Sequence, residues 1–275
     1  MILFFKILFK EFYHLLRSRQ SRAFLYLVWR IGGQPRYKAL HTRFGGQHWH
    51  IPDALSFIWQ VKEIMVEESY AFACAHEAPL IYDCGANVGL DCAYFKKKYP
   101  KAHIKAFEAD PHIAALLEEN IRQNQLQNIE IQAKAVWIHD EGILLAQEGA
   151  DGGSIFGENN RIQVPSVRLK SLLAAESRQI DMLKMDIEGA ENAVLADCQE
   201  ELQKVQNLFV EYHSYLQAPQ KLENLLQVLA NAGFRYYIEQ VLSRKSPLLH
   251  HRYKNNEPMD LQLNIFAYRS AKAVS

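Results

Sequence analysis

The rhythm of apolar positions changes near residue 79. Upstream, apolar residues recur at helical spacing among mixed segments. Downstream, short continuous apolar runs alternate with helix-period stretches, the signal of strands and helices in turn. "PLIYDCG", "HIKAFEAD", "IEIQAKAVW", "IDMLKMDIEG" and "VQNLFVEYH" read as five strands. Between them, residues 87 to 99 form a helix that ends before Pro100. "PHIAALLEENIRQNQ" is a helix with Asp110 as cap and Pro111 at its first position. "SLLAAE" and residues 190 to 198 are short helices, and "APQKLENLLQVLANAGF" is a longer one closed by Gly233. Residues 140 to 168 are glycine-rich and irregular, a hairpin plus loop. "FRYYIEQ" and "LQLNIFAYR" are two final strands with no helix between them, paired antiparallel at one edge.

Strand–helix alternation demands right-handed crossovers, hence an α/β fold with a mostly parallel sheet and helices on both faces. The chain divides into an N-terminal helical extension, residues 1–78, and a ligand-binding domain, residues 79–275. Ligands of such sheets sit at the carboxyl ends of the strands.

"DCGANVG", residues 83 to 89, lies at that rim. Gly85 allows a sharp turn, Ala86 and Gly89 leave room for a ligand, and Asn87 caps the next helix. The spacing is not the G-x-G-x-x-G of dinucleotide sites, and Asp83 would repel a phosphate. The turn suits a neutral or cationic ligand, and S-adenosyl-L-methionine, with sulfonium, amine and ribose, fits. Glu108, one strand–helix–strand unit further on, can accept both ribose hydroxyls.

The strings "DCGANVG", "FEAD", "DGGS", "LKMDIEGAE" and "VEYH" resemble, in this order, the motifs of the FkbM family of S-adenosylmethionine-dependent methyltransferases. The resemblance covers roughly residues 79 to 240, and "KMDIEGAE" is its most specific part. It implies a Rossmann-like class I methyltransferase fold: a mostly parallel seven-stranded sheet with an antiparallel last strand. It also implies O-methylation of a hydroxyl on a sugar or similar small molecule. "FEAD" departs from the family, which usually has proline after the acid.

A second constellation follows from alternation. Lys184, Asp186 and Glu188 end strand four on one face, and Glu211 and His213 end strand five. Adjacent strands would bring Asp186, Glu188, Glu211 and His213 beside the cofactor. Methyl transfer to oxygen needs a base, and His213 is the natural candidate. Asp186 positions the acceptor or binds the cofactor amine, and Glu211 completes the catalytic set. The same groups could hold Mg²⁺, although no residue is assigned as a metal ligand. In "GADGGSIFG", residues 149 to 157, Ser154 is placed against cofactor or acceptor by a loop over the pocket.

Composition narrows the partners. Formal net charge is zero, which argues against nucleic acid. Residues 1 to 38 hold eight Lys/Arg against one acid, Glu11, so this segment carries +7 and the remainder −7. Lys6, Lys10, His14 and Arg17 recur along a basic amphipathic helix. It either packs on the domain or makes peripheral membrane contact through residues 1–20. Trp29, Trp49 and Trp59 pack or line an acceptor site. Cys74, Cys84, Cys92 and Cys198 fall in no CxxC spacing and read as reduced thiols of a cytoplasmic protein. No apolar run approaches the roughly 20 residues of a membrane span, and the start lacks a signal-peptide cleavage site. Two other functions stay open: a nicotinamide-dependent oxidoreductase, and a non-enzymatic docking protein that keeps the fold.

Overall fold

The computed structural model describes residues 18–147, 153–154, 161–241, 245–251 and 259–269. The basic helix expected over residues 1 to 17 lies outside them.

Phe24, Leu27 and Ile31, spaced three and four apart, form the buried stripe of α1 (Arg19–Ile31). Ser18 caps it by accepting the Ser21 N–H. The extension is not all helical. Gly45 and Gly46, both at positive φ, turn β1 (Leu40–Phe44) into β2 (Gln47–Ile51) as an antiparallel hairpin. Asp53 then caps α2 (Ala54–Gln60), which continues as a π-helical turn, Val61–Val66.

The central sheet has seven strands. β3 (Leu80–Cys84), β4 (His103–Phe107), β5 (Ile129–Gln132), β11 (Ile180–Met185) and β12 (Val205–Tyr215) run parallel. Across the sheet the order is β13-β14-β12-β11-β3-β4-β5, with β13 at Arg235–Gln240 and β14 at Met259–Tyr268. β14 is antiparallel to both neighbours and lies between β12 and β13. This is the Rossmann-like class I methyltransferase topology, with the last strand reversed.

The helices are α3 (Leu90–Lys98), α4 (Pro111–Gln123), α5 (Leu169–Ala175), α6 (Glu191–Asp197) and α7 (Leu222–Asn231). Asp110 caps α4 as expected, accepting from His112 and Ile113. The run "IEIQAKAVW" is two strands, not one. After β5 the chain breaks at Gln132 and resumes as β6 (Ala135–Trp137), which pairs with β10 (Ser166–Arg168). The irregular region holds a small antiparallel sheet of β7 (Ile143–Gln147), β8 (Gly153–Ser154) and β9 (Arg161–Val164).

Alternation along β3 divides the core. Ile81 faces a cluster that includes Phe24, Leu27, Trp49, Phe57 and Tyr70. Leu80, Tyr82 and Cys84 face the opposite cluster with α5, α6 and α7. The extension therefore covers one face of the sheet and shares its core. Two asparagines of α4 fasten it. Asn120 accepts from His50 N and donates to His50 O, and Asn124 does the same with His48. These bonds satisfy the free edge of β2.

Candidate active site

The turn after β3 is closed on itself. Gly85 N and Ala86 N donate to Phe107 O, Asn87 N to Glu108 Oε2, Val88 N to Asn87 Oδ1, and Gly89 N to Ala86 O. Every backbone N–H from Gly85 to Gly89 thus has an internal acceptor, and a phosphate cradle needs free ones. Gly85 and Gly89 both sit at φ +87°, where glycine is favoured. Their missing side chains face protein. A Cβ at Gly85 would stand 1.8 Å from Asp186 O, and one at Gly89 2.7 Å from Leu117 Cδ1. Room for a ligand is therefore not what Gly89 supplies; it lets α4 approach. Asn87 does not cap α3 either, since Gly89 occupies the cap position and Asn87 Oδ1 bonds Val88 N. Asn87, at φ 45°, instead shapes the turn.

Asp83 does not present its carboxylate to the rim. It is fully buried behind the turn, facing Cys92 Sγ at 3.5 Å and Lys184 Nζ at 3.5 Å. Lys184 is the hub. Its ammonium lies 2.9 Å from Asp91 Oδ2 and 3.7 Å from Asp186 Oδ2, and donates to Gly85 O at 2.5 Å. The Tyr70 ring, from the extension, covers it at 5.9 Å. The three carboxylates hold the lysine pKa well above its usual value against burial, which alone would lower it. Burial and the charge of Asp91 push Asp83 up to about 7. Asp91 and the inward aim of Lys184 are not evident in the sequence; the only signal is a charged residue inside each of two apolar runs.

Glu108 sits where β4 ends, nearly buried. Its oxygens accept from Asn87 N and Asp110 N, both at 2.9 Å, which fixes the carboxylate across the mouth of the turn. Burial pushes its pKa up to about 7, although both N–H groups favour the ion.

The strand ends of β11 and β12 bring Asp186, Glu188, Glu211 and His213 together. Glu188 does not arrive by strand alternation; a left-handed residue at φ 54° brings it there, followed by Gly189 at φ 102°. His213 Nε2 lies 3.4 Å from Glu211 Oε1 and 3.5 Å from Glu188 Oε2. Its Nδ1 lies 3.1 Å from Glu191 Oε1, which also accepts from Ile187 N and Gly189 N. Glu191, the last acid of "KMDIEGAE", is the residue that the sequence reading missed here. Burial would lower the His213 pKa, but Glu188, Glu191 and Glu211 raise it well above the usual imidazole value. The three glutamates favour the protonated form of His213, which works against a role as base. Burial and the Glu211 charge raise Asp186 well above a normal carboxylate. Glu211, buried too, falls below its usual value because His213 and Gln262 bond it.

These groups are layered. Glu191 and His213 are inside, with 0% and 2% of their side chains exposed, while Asp186 shows 26%. Asp186 Oδ1 has no hydrogen-bond partner. Asp186, Glu211 and His213 each bring one donor atom within 4.8 Å of the others, close enough to share a hard cation. The extension adds Glu63 from the π-helical turn. Burial and the Glu211 charge push it up to about 7, and Asn264 Nδ2 bonds it at 2.9 Å.

Ser154 lies in β8 with its backbone opposite Ala146, and the rest of "GADGGSIFG" falls outside the described residues except Gly153. Trp49 packs in the core, whereas Trp29 and Trp59 are exposed. Between the extension and the first turn, Asp53, Phe57, Gln60 and Asn87 line a shallow surface dimple too small to hold a ligand.

A family model for the methyltransferase FkbM domain matches residues 83–236, more than half of the chain. Methyltransferase sdnD of Sordaria araneosa is 29% identical over 187 residues, covering 54% of this chain and 72% of that protein. The 2-O-methyltransferase NoeI of Sinorhizobium fredii is 30% identical over 155 residues, covering 49% of this chain and 63% of that one. The solved SAM-dependent methyltransferase of Agrobacterium tumefaciens superposes with a TM-score of 0.51 at 8% identity, covering 86% of this chain and 72% of that one, a likeness of fold. With the seven-stranded topology, the family match makes this chain a methyltransferase of the FkbM family.

Proposed function

We propose that this enzyme transfers the methyl group of S-adenosyl-L-methionine to a hydroxyl of a sugar or similar small molecule. One observation carries the reading. Glu108 and Asp186, carboxylates with raised pKa, stand at the ends of β4 and β11 on either side of a turn with no free N–H. With every N–H of the turn already bonded and acids on both sides, the rim offers a phosphate no donors, so the residues fit this donor and disfavour a nicotinamide cofactor.

Bound there, S-adenosylmethionine supplies an electrophilic methyl on a sulfonium. Glu108 receives the ribose hydroxyls, its remaining lone pairs aimed by the two N–H bonds already made. Asp186, with 26% of its side chain exposed at the rim, would accept the acceptor's hydroxyl proton as the oxygen is methylated. The proton would stay on Asp186 when the methylated product leaves. His213 holds Glu211 and Glu188 in place and balances their charge. Lys184 keeps β3 and β11 together beneath the turn.

Calorimetry with S-adenosylmethionine, its demethylated product and NAD tests the donor, and labelled-methyl transfer to sugar hydroxyls tests the acceptor. Heat with the first two alone and label on carbohydrate are expected. Binding of NAD, or no binding of any of the three, overturns the reading.

The outward face of α1 favours peripheral membrane contact as a second role. Tyr26 and Trp29, 58% and 79% exposed, stand side by side at 5.8 Å among Arg19, Arg22 and Arg30. Residues 18–38 contain no acid. Flotation with anionic vesicles, lost in Tyr26→Ser/Trp29→Ser, is the expected result; no flotation removes the role. Among the described residues no helix is long and apolar enough to cross a membrane.

A further inference from the structure

At the opposite end of the sheet from the site described above, three side chains of different chemistry meet. Asp181 is the second residue of β11 and is buried. Cys74 and His76 come from the segment that joins the extension to β3. Cys74 Sγ lies 3.5 Å from Asp181 Oδ1, and His76 Nε2 lies 3.2 Å from the same oxygen. All three donor atoms fall within 4.8 Å of one another.

We propose that Cys74, His76 and Asp181 form a zinc site that staples the extension to the catalytic sheet, with solvent at the fourth position. The donor set is the first argument. Thiolate, imidazole and carboxylate together suit Zn²⁺, and Mg²⁺ or Ca²⁺ would not choose a thiol. Spacing is the second. Zinc bonds of about 2.3 Å to sulfur and about 2.0–2.1 Å to nitrogen and oxygen, at tetrahedral angles, give S···O and N···O edges of about 3.5 Å and about 3.3 Å. The observed 3.5 Å and 3.2 Å match two of the three edges, and the third pair, sulfur and nitrogen, lies within 4.8 Å. The third argument is support behind the ligands. The other oxygen of Asp181 accepts the Leu80 N–H at 2.8 Å, and Asn207 Nδ2 bonds the Asp181 carbonyl at 2.8 Å. Such outer bonds orient metal ligands. His76, 51% exposed, leaves the site an entry path. Binding releases the thiol proton to solvent, and no redox step is involved.

Cobalt titration of the chelator-treated full-length protein tests this. Co²⁺ bound to a thiolate gives a near-ultraviolet charge-transfer band, which the thiol-free cluster of Asp186, Glu211 and His213 cannot give. One equivalent of Co²⁺ should develop the band, Zn²⁺ should abolish it, and Cys74→Ser should lack it. His76→Gln should weaken binding at least tenfold. Both variants spare the Asp181 bond to Leu80, so folding is preserved and circular dichroism checks it. Zn²⁺ should also raise the melting temperature of the wild type and not that of Cys74→Ser. No band at stoichiometric Co²⁺, or a band that survives Cys74→Ser, overturns the proposal and leaves only a hydrogen-bonded triad.

Discussion

Lys184 Nζ lies 2.9 Å from Asp91 Oδ2 inside the core, which makes one cation from β11 the partner of an acid from α3. Asp83 and Asp186 share the same ammonium at 3.5 and 3.7 Å. Removing one partner of a buried ion pair typically costs about 3–5 kcal/mol, because the remaining charge is left without compensation. Lys184→Met should therefore lose stability of that order in urea unfolding and lose donor binding. A variant as stable as the wild type would mean that the carboxylates are neutral there.

The two glycines of the first turn should respond unequally to alanine. Both need a left-handed backbone, which costs about 1–3 kcal/mol for other residues. Gly85→Ala also drives its Cβ against the Asp186 carbonyl, a backbone atom, at 1.8 Å. Gly89→Ala meets the end of a flexible leucine side chain. Gly85→Ala should be the more damaging in thermal melts and should separate the ends of β3 and β11. Equal losses would contradict the close approach of these strands.

Acid should stabilise the donor-free enzyme. Glu63, Asp83 and Glu108 are each raised to about 7, so between pH 5 and 7 the folded chain keeps protons that the unfolded chain releases. Their contribution is fully present below the unfolded values and is lost as pH rises through 7. His213, also raised, acts in the same direction. The melting temperature should fall by several degrees from pH 5 to 7.5. S-adenosylmethionine, a cation, should bind more tightly and release protons as pH rises through 7. A melting temperature that climbs over this range would show that these acids are ionised in the fold.

Asp186 and His213 separate by kinetics. Asp186→Asn should lower kcat by about a hundredfold or more, the usual scale of a lost general base. His213→Gln removes a charge from behind the base, so the acidic limb of the pH–rate profile should shift while a measurable rate remains. Loss of the acidic limb in His213→Gln, with Asp186→Asn unaffected, would return the base role to His213.

Much of this fold was legible because strand and helix periods are local. Apolar runs such as "LIYDC" and "IDMLKM" can be read without knowing their neighbours, and Asp110-Pro111 announces a helix start. The meeting of Asp186, Glu211 and His213 was also legible, since adjacent parallel strands end at one rim. What was hidden depends on distant contacts. The β1–β2 hairpin reads as mixed polar sequence, because its edge is satisfied by Asn120 and Asn124 rather than by a strand. Lys184 looked like a rim residue until Asp83, Asp91 and its near neighbour Asp186 closed around it. The raised pKa of His213 comes from Glu188, Glu191 and Glu211 together, and Glu191 faces it only because Glu188 and Gly189 reverse the chain.

The π-helical turn at Val61–Val66 has an evolutionary consequence. A π turn is an α-helix carrying an extra residue, and each residue of an α-helix advances about 100° around the axis. Loss of a single codon there would swing Glu63 away from Asn264 and Glu211 while every strand stayed in place. The electrostatic surroundings of Glu211 would thus change through an insertion or deletion outside residues 83–236, with the strands of the sheet untouched.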